Sequence, residues 1–324
     1  MWIQEPGRMQ GKMTEPLVTF FTAPKPFTNP HINIIQRNAI QSWIRLGDKV
    51  QVLLLGNDAG VDQVAREFKV THLPQVRCNE KGTPLISSMF ALAREHSSSP
   101  FLCIINTDIL VMPDMLAGLE QVAALYEKFL LVGQRWDVEV KEPLPDEQGF
   151  FDTVSKLVKK HGRLHPPMGS DYFIFPRACF TRVPDFAIGR AGWDNWMIFK
   201  ARLEGWKVVD SSQDITIAHQ DHDYNHLSGG LPHYRQPETT TNVKLAGGNY
   251  TIFTLYDAQA KLVNGSLQKI PLTWKRFWRQ VEIFPTTVLK SKPLSRISYF
   301  LFHPRRNYLV FRKSLSKFLH RKEK

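Results

Sequence analysis

Residues 101–113 read F-L-C-I-I-N-T-D-I-L-V-M-P. Phe101, Leu102, Cys103, Ile104 and Ile105 come first, Asn106, Thr107 and Asp108 interrupt, Ile109, Leu110 and Val111 resume, and Pro113 closes the stretch. A short, branched apolar run bounded by Pro predicts a central strand covered on both faces. In open α/β sheets, ligands bind beyond the carboxyl ends of the strands. Asn106 and Asp108 are therefore predicted to leave the strand end and point into that crevice. Asp108 has two readings. It can cap the helix that Pro113 and Asp114 open, or it can be a hard oxygen ligand for Mg²⁺ or Mn²⁺ that also holds a diphosphate. A cap sits directly before its helix, and Ile109, Leu110, Val111 and Met112 intervene, which favours the ligand.

Outward from this stretch, apolar runs alternate with helical periodicity. Residues 17–22, L-V-T-F-F-T, predict a first strand, followed by the loop Ala23-Pro24-Lys25-Pro26-Phe27. Ile32, Ile35, Ala39, Ile40 and Trp43 predict a helix over 29–46, stopped by Gly47. Residues 49–55 predict a second strand ending in Gly56-Asn57-Asp58, then a helix through Val61, Val64, Ala65 and Phe68. A short strand near Val76, a helix over 84–95, a helix over 113–128 and a strand over 129–133 complete the first half. Strands alternating with helices predict an α/β fold with a mostly parallel central sheet. No Gly-x-Gly-x-x-Gly follows the first strand and no Gly-Lys-Ser/Thr loop is present, which speaks against a dinucleotide or P-loop site.

The second half is less regular. Residues 136–149 are polar and Pro-bearing and predict a loop, and 151–160 a helix. Gly169-Ser170-Asp171 leads into a strand over 172–175. Trp193-Asp194-Asn195-Trp196 opens a helix running to Glu204. Strands are predicted over 207–210 and 215–218, the latter ending at H-Q-D-H-D-Y-N-H, residues 219–226.

The chain has 324 residues, enough for one large or two small domains. Its cysteines, Cys78, Cys103 and Cys179, are scattered and odd in number, which fits a reducing compartment better than a disulfide framework. Residues 1–15 are polar with no apolar core, and no stretch is apolar for about 18 residues, so the expected location is cytoplasmic. The net charge of +12 is confined to one end. Residues 271–324 hold 14 Lys/Arg against 2 Asp/Glu, and the rest of the chain, with 28 of each sign, is neutral. Three segments follow: a flexible N-terminus over 1–15, a globular domain over 16–270, and a basic, aromatic tail over 271–324.

N-T-D at 106–108, G-S-D-Y-F-I-F at 169–175, G-W-D-N-W at 192–196 and A-H-Q-D-H-D-Y-N-H at 218–226 together resemble, in this order, a glycosyltransferase of the GT-A fold, the Rossmann-like nucleotide-diphospho-sugar transferases. The likeness runs over residues 17–227 and omits the tail. The family's metal signature is Asp-x-Asp; here Asn106 stands at its first position and Asp108 at its third. The resemblance implies that Asp108 holds the Mn²⁺ or Mg²⁺ that bridges the donor's two phosphates, with His219 or His222 as a further metal or phosphate contact. It implies that Thr22, Ala23, Pro24 and Lys25 line the nucleoside, that Asp58 meets the base edge, and that Lys25 or Arg190 meets phosphate. Asp171 would bind sugar or acceptor hydroxyls, Trp193 and Trp196 would stack on a sugar face beside Asn195, and Asp194 would deprotonate the acceptor hydroxyl with inversion.

Each residue also has a plainer reading. The histidines suit a solvated loop or a zinc site, which needs three or four convergent ligands. Asp194 or Asn195 suits a helix N-cap, Trp193 and Trp196 suit a core, and Asp171 and Asp58 suit turns. In the tail, W-K-R-F-W-R at 274–279, I-S-Y-F-L-F at 297–302, Arg305-Arg306 and the Lys/Arg-rich 312–324 suit the headgroup layer of an anionic membrane, or a solvated basic extension. No nucleic-acid recognition motif accompanies the charge, so no nucleic-acid partner is expected. The expected reaction is sugar transfer from a nucleoside diphosphate to a glycan or lipid-linked hydroxyl. The rivals are a sugar nucleotidylyltransferase, whose Gly-rich basic loop is missing after the first strand, and a catalytically degenerate fold that binds glycan or membrane.

Overall fold

The computed structural model describes residues 15–145, 149–222 and 236–304. Its elements in order are β1 (Val18–Thr22), α1 (Pro30–Ile44), β2 (Val50–Leu55), α2 (Val61–Phe68), β3 (Thr71–Leu73), α3 (Ile86–Glu95), β4 (Phe101–Ile105), β5 (Ile109–Val111), α4 (Asp114–Ala123), β6 (Phe129–Val132) and β7 (Trp136–Val138). There follow α5 (Phe150–His161), β8 (Arg163–Leu164), β9 (Tyr172–Pro176), α6 (Trp193–Glu204), β10 (Lys207–Asp210), β11 (Ile217–Gln220), α7 (Pro237–Ala246), β12 (Ala260–Val263), β13 (Ser266–Lys269), α8 (Trp274–Thr287) and α9 (Lys292–Phe302).

The large sheet runs β13-β12-β10-β6-β9-β4-β1-β2-β3. Its β3-β2-β1-β4 and β6-β10-β12 ladders are parallel, and β9 is wedged antiparallel between β4 and β6. This is the expected α/β architecture with a mostly parallel sheet. Both faces are covered, so β4 and β6 are apolar at every position. One face packs Phe21, Ile104, Phe173 and Phe175 under α3 and α6. The other packs Phe20, Cys103, Ile105 and Ile174 with Trp43 of α1 and Leu119 of α4. Trp43 is fully buried and donates its indole N–H to the carbonyl of Ile109 at 2.9 Å, so the polar edge of the ring is not left unmet. Helix α1 starts where Asn29 Oδ1 accepts from Ile32 N and Pro30 occupies the first turn.

The stretch at 101–113 is not one strand. β4 ends at Ile105, residues 106–108 turn, and β5 enters a second, four-stranded sheet of order β5-β11-β7-β8. The second sheet closes over a small apolar core formed by Leu110, Val138, Val154 and Ala218 beneath α5. Residues 136–138, predicted as loop, are therefore a strand. Trp136 and Val138 alternate with outward Asp137, and the pairing of Trp136–Val138 with Ala218–Gln220 is parallel. The strand predicted at 215–218 lies at Ile217–Gln220, which puts His219 inside it, and the strand expected near Val76 lies at Thr71–Leu73. Residues 260–269 form a β hairpin at the sheet edge that periodicity did not reveal.

The tail is partly helical. α8 docks on the domain through Arg279, which pairs with Asp257 at 2.8 Å, and through Ile283 in the core; within the helix Arg279 also pairs with Glu282 at 2.9 Å. The expected flexible terminus before Glu15, the 223–226 half of the histidine stretch, Arg305-Arg306 and 312–324 lie outside the described residues.

Candidate active site at the crossing turn

The site forms where the chain leaves one sheet for the other. Thr22 Oγ1 at the end of β1 meets Thr107 Oγ1 at 2.8 Å, both groups buried, which ties the turn to the strand beside it. Gln220 fixes the backbone of Asp108 from the second sheet: its N and Nε2 donate to the Asp108 carbonyl at 3.1 and 3.2 Å. With its carbonyl held, Asp108 presents a side chain only 11% exposed toward β11.

Sheet register supplies the partners. His219 lies opposite Ile109 on one side and opposite Asp137 on the other. Asp108 and Asp137 thus flank one imidazole. His219 Nε2 is 4.0 Å from Asp108 Oδ2, while Nδ1 is 3.3 Å from Asp137 Oδ1 and 3.5 Å from Asp221 Oδ1. The Nδ1 contacts are within ion-pair reach but off the hydrogen-bond line. His222 Nε2 lies 3.1 Å from Asp108 Oδ2 and 3.0 Å from Lys25 Nζ, and that ammonium is 3.6 Å from the same Oδ2. One imidazole nitrogen donates to the carboxylate or accepts from the ammonium, not both.

The electrostatics follow from this crowding. Burial alone would raise the Asp108 pKa; the His222 hydrogen bond and the charges of His219 and Lys25 overcome it and hold the carboxyl well below the ordinary range. Burial would lower the His219 pKa, but the Asp137, Asp221 and Asp108 carboxylates raise it to about 9. Burial also lowers the Lys25 pKa, against the pull of Asp108. The Asp137 carboxyl is held low, against burial, by His219, His165 and Arg135.

A second set of contacts joins the turn to β9. Asn106 Nδ2 donates to Asp171 Oδ1 at 2.8 Å, and Asn106 N donates to the Asp171 carbonyl at 3.0 Å. Arg135 Nη1 donates to Asp171 Oδ2 at 2.6 Å and its Nε to Asp137 Oδ1 at 2.8 Å, so one guanidinium spans both carboxylates. Gly133 makes this possible. A Cβ there would meet Tyr172 Oη at 2.8 Å and Ser211 Oγ at 3.0 Å, so only glycine lets the chain pass over that pair toward Arg135. Asp194 sits in the first turn of α6, where Oδ1 accepts from Gly192 N at 3.0 Å. Burial raises its pKa, and the Asp171 charge adds to the rise.

The predicted residues divide accordingly. Lys25, Asp108, His219 and His222 converge, and Asn106 meets Asp171, while Asp194 is linked to that pair only through the Asp171 charge. Thr22 is a buried tie to the turn. Ala23 packs on the core, and the loop around Lys25 is clamped by Gln36, which accepts from Lys25 N and donates to its carbonyl. Pro24 precedes the clamp. Asp58 lies in the exposed loop whose Ala59 carbonyl accepts from Phe27 N, beside the Lys25 loop, and burial raises its carboxyl pKa. Asn195 donates to the Phe253 carbonyl. Trp193 and Trp196, expected to stack on sugar, are 5% and 6% exposed and pack edge-on against Phe173 and Phe186. Their rings are core, which corrects that expectation: an aromatic at helical spacing has turned inward. Arg190 is paired with Glu238 at 2.9 Å rather than held open for phosphate. Missed altogether were Arg135, Asp137, His165 and Asp221. Their signal was the alternation Trp136, Val138, Val140, which marks a strand with Asp137 on its polar face.

A divalent cation fits the residues present. Ligand atoms of Asp108, His219 and His222 lie within 4.8 Å of one another, and so do those of Asp137, His219 and Asp221. Asp108 Oδ1 is buried with no hydrogen-bond partner among the described residues, and a cation, the Lys25 ammonium, already stands against Oδ2. One carboxylate with two imidazoles suits Mn²⁺ or Zn²⁺, whereas Mg²⁺ favours oxygen and would draw the rest of its ligands from phosphate and water.

No family model matches the chain, and no curated protein matches it. Among solved structures it is similar to glucosyl-3-phosphoglycerate synthase from Mycobacterium tuberculosis in complex with Mg²⁺ and uridine-diphosphate, at 16% identity over 84% of this chain and 94% of that one, with a TM-score of 0.45. It is similar to the mannosyltransferase PcManGT from Pyrobaculum calidifontis in complex with GDP-Man and Mn²⁺, at 16% identity over 65% of this chain, with a TM-score of 0.42. It is also similar to residues 1–349 of S. aureus TarS, at 10% identity over 64% of this chain, with a TM-score of 0.37. The chain spans 59% of the length of each of the last two.

Proposed function

We propose that the chain is a GT-A-type glycosyltransferase that moves a sugar from a nucleoside-diphosphate donor to a hydroxyl of a glycan or lipid-linked glycan. One observation carries this reading: a buried carboxylate, Asp108, leaves the end of a parallel strand with one oxygen unmet and with His219, His222 and Lys25 gathered on the other. Asp108, His219 and His222 would hold Mn²⁺ or Mg²⁺, which when bound supplies positive charge against the leaving diphosphate.

The remaining roles belong to the chain's own groups. The Lys25 ammonium reaches the diphosphate, because its loop is clamped beside Asp108 and its charge opposes the phosphates. Asp194 takes the proton of the acceptor hydroxyl, as burial and the Asp171 charge raise its pKa and make it a stronger base than an ordinary carboxylate. The acceptor oxygen forms the new bond to the anomeric carbon while the bond from that carbon to the diphosphate breaks, and the nucleoside diphosphate departs with the electron pair. Attack from the side opposite the leaving group inverts the anomeric centre. Asp171, positioned by Asn106 and Arg135, orients a donor or acceptor hydroxyl. A lipid-linked acceptor would place the reaction at the cytoplasmic face of a membrane.

A second reading, a degenerate fold that binds a nucleotide or glycan without turnover, is favoured by Asn106 and by the Lys25 ammonium standing among the ligand atoms. The test is release of nucleoside diphosphate from UDP- and GDP-sugars with Mn²⁺, with Asp108→Ala as control. Release by the wild type and none by Asp108→Ala is expected. Release by Asp108→Ala would remove the assignment of the carboxylate. Thermal stabilisation by a nucleoside diphosphate with no release from any donor would favour the binding module.

A further inference from the structure

The C-terminal hairpin is built inside out. On α8, the residues turned to the protein are Arg279, Glu282, Ile283 and Thr286, three of them polar. Those turned outward are Trp274, Phe277, Trp278, Val281, Phe284 and Val288, each at least 40% exposed. Their spacing of three and four residues makes one continuous stripe. α9 repeats the pattern: Ser295 is buried, while Leu294, Ile297, Phe300 and Leu301 are exposed.

Polar bonds hold the two helices in this state. Thr286 Oγ1 and Ser295 Oγ lie 2.8 Å apart, Ser298 Oγ donates to the Glu282 carbonyl at 2.7 Å, and His303 Nε2 meets Glu282 Oε1 at 2.9 Å. Arg279 locks α8 to Asp257 in turn. The outward stripe is therefore fixed by hydrogen bonds and ion pairs on its far side. An apolar stripe of this length in water is costly, at about 25 cal/mol per Å². A patch this large marks an interaction surface.

The charge pattern selects the occupant. Exposed Lys275, Lys290, Lys292 and Arg296 surround the stripe, and the one acidic residue of 271–304, Glu282, is turned inward. A second copy of this face would bring like charges together. Trp and Phe among cations suit the acyl–headgroup boundary of an anionic bilayer, where the apolar stripe sinks in and the ammonium groups meet lipid phosphates. Among the described residues no helix is long and apolar enough to cross a membrane, so the contact lies on the surface.

We infer that the α8–α9 hairpin is a membrane-docking surface that inserts its aromatic stripe into the interface of anionic phospholipid. The inference stands on the hairpin alone and holds whether or not the domain transfers sugar.

The test is co-flotation of the full chain with vesicles of phosphatidylcholine, with and without phosphatidylglycerol. A combined Trp274→Ser, Phe277→Ser, Trp278→Ser and Phe284→Ser variant is compared, and a second variant carries Leu294→Ser, Ile297→Ser and Leu301→Ser. All seven side chains are exposed, and an unchanged thermal melt verifies folding. Binding that requires phosphatidylglycerol, and at least about tenfold weaker partition of the first variant, is expected. Retention of full binding by both variants would overturn the inference, as would equal binding to pure phosphatidylcholine. A dimer in solution that the same substitutions abolish, with vesicle binding unaffected, would assign the stripe to a second copy instead.

Discussion

Lys25→Met should strengthen divalent-cation binding while weakening nucleotide binding, and the opposite signs make it the sharpest perturbation of the site. The ammonium stands 3.6 Å from Asp108 Oδ2 and 3.0 Å from His222 Nε2, among the atoms a metal would use. At an effective dielectric of about 20, a pair at that separation is worth about 4.6 kcal/mol, and in bulk water about 1 kcal/mol. The Lys25 side chain is 33% exposed, so the lower half of that range applies once screening is counted. Burial already weakens its hold on the proton, which makes displacement easier still. Removing a competitor worth about 1–2 kcal/mol should raise Mn²⁺ affinity about tenfold. Met keeps the length and apolar stem, so the clamp by Gln36, which uses only the backbone of residue 25, survives. Isothermal titration with Mn²⁺ reads the first effect, and titration with UDP or GDP at saturating Mn²⁺ reads the second. An unchanged or weaker Mn²⁺ affinity in Lys25→Met would refute the idea that ammonium and cation share the Asp108 oxygen. Wild-type affinity in Asp108→Asn would refute the site itself.

Two further perturbations separate chemistry from stability. Asp194→Asn should lower kcat by about 10²–10⁴ while leaving the donor KM unchanged, and the wild-type rate should fall away on the acid side at a pH above the ordinary carboxylate range. A parallel drop in donor affinity would make Asp194 a helix-start residue only. Asp114 lies far from this chemistry: burial and the charge of Asp214 raise its pKa from 3.8 to about 6, and its Oδ1 is buried without a partner among the described residues. The unfolded chain gives up this proton first, so the native state loses stability as pH rises from about 4 to 6 and stays penalised above, by about 2–3 kcal/mol. Asp114→Asn keeps a carbonyl for the bond from Thr216 N, so it should stabilise the chain at pH 7.5 and not at pH 4 when urea melts at the two values are compared. Equal effects at both would rule out the charge as the cause.

What could be read from the sequence, and what could not, has a physical pattern. α1 was legible because Ile32, Ile35, Ala39 and Trp43 repeat on one face and Asn29-Pro30 opens it. The change of sheet at Asn106 was not, because β4 and β5 are covered on both faces and an apolar run carries no sign of which sheet it joins. The polar triplet 106–108 is the one mark of the crossing, and in the structure it forms the turn between the sheets with Thr107 and Asp108 buried. β7 was hidden by its composition: Asp137 and Glu139 give 136–149 the polar look of a loop. Trp193 and Trp196 could face sugar or core, and only the aromatic neighbours Phe173, Phe180 and Phe186 decide it. In the tail the charge was plain, but periodicity gives two faces without saying which is buried. The inverted hairpin needed coordinates.

Asn106 shows why the departure from Asp-x-Asp need not weaken the proposed chemistry. Its amide lies 2.8 Å from Asp171 Oδ1. A carboxylate at 106 would set like charges at that distance, a repulsion of about 6 kcal/mol at an effective dielectric of about 20. An amide turns the contact into a hydrogen bond, and Arg135 takes the other Asp171 oxygen. Both Asp171 oxygens are thereby paired, and the Asp171 charge adds to the burial that raises the Asp194 pKa. On the proposed mechanism, position 106 thus serves the base rather than the cation. Asp108 and two imidazoles would then hold the cation, and one of these, His219, is flanked by Asp137 and Asp221 on its far nitrogen. Carboxylates behind a ligating imidazole orient the ring and make it more basic. The negative charge absent at 106 is restored one layer further out, by residues on a strand whose polar face is turned to the site.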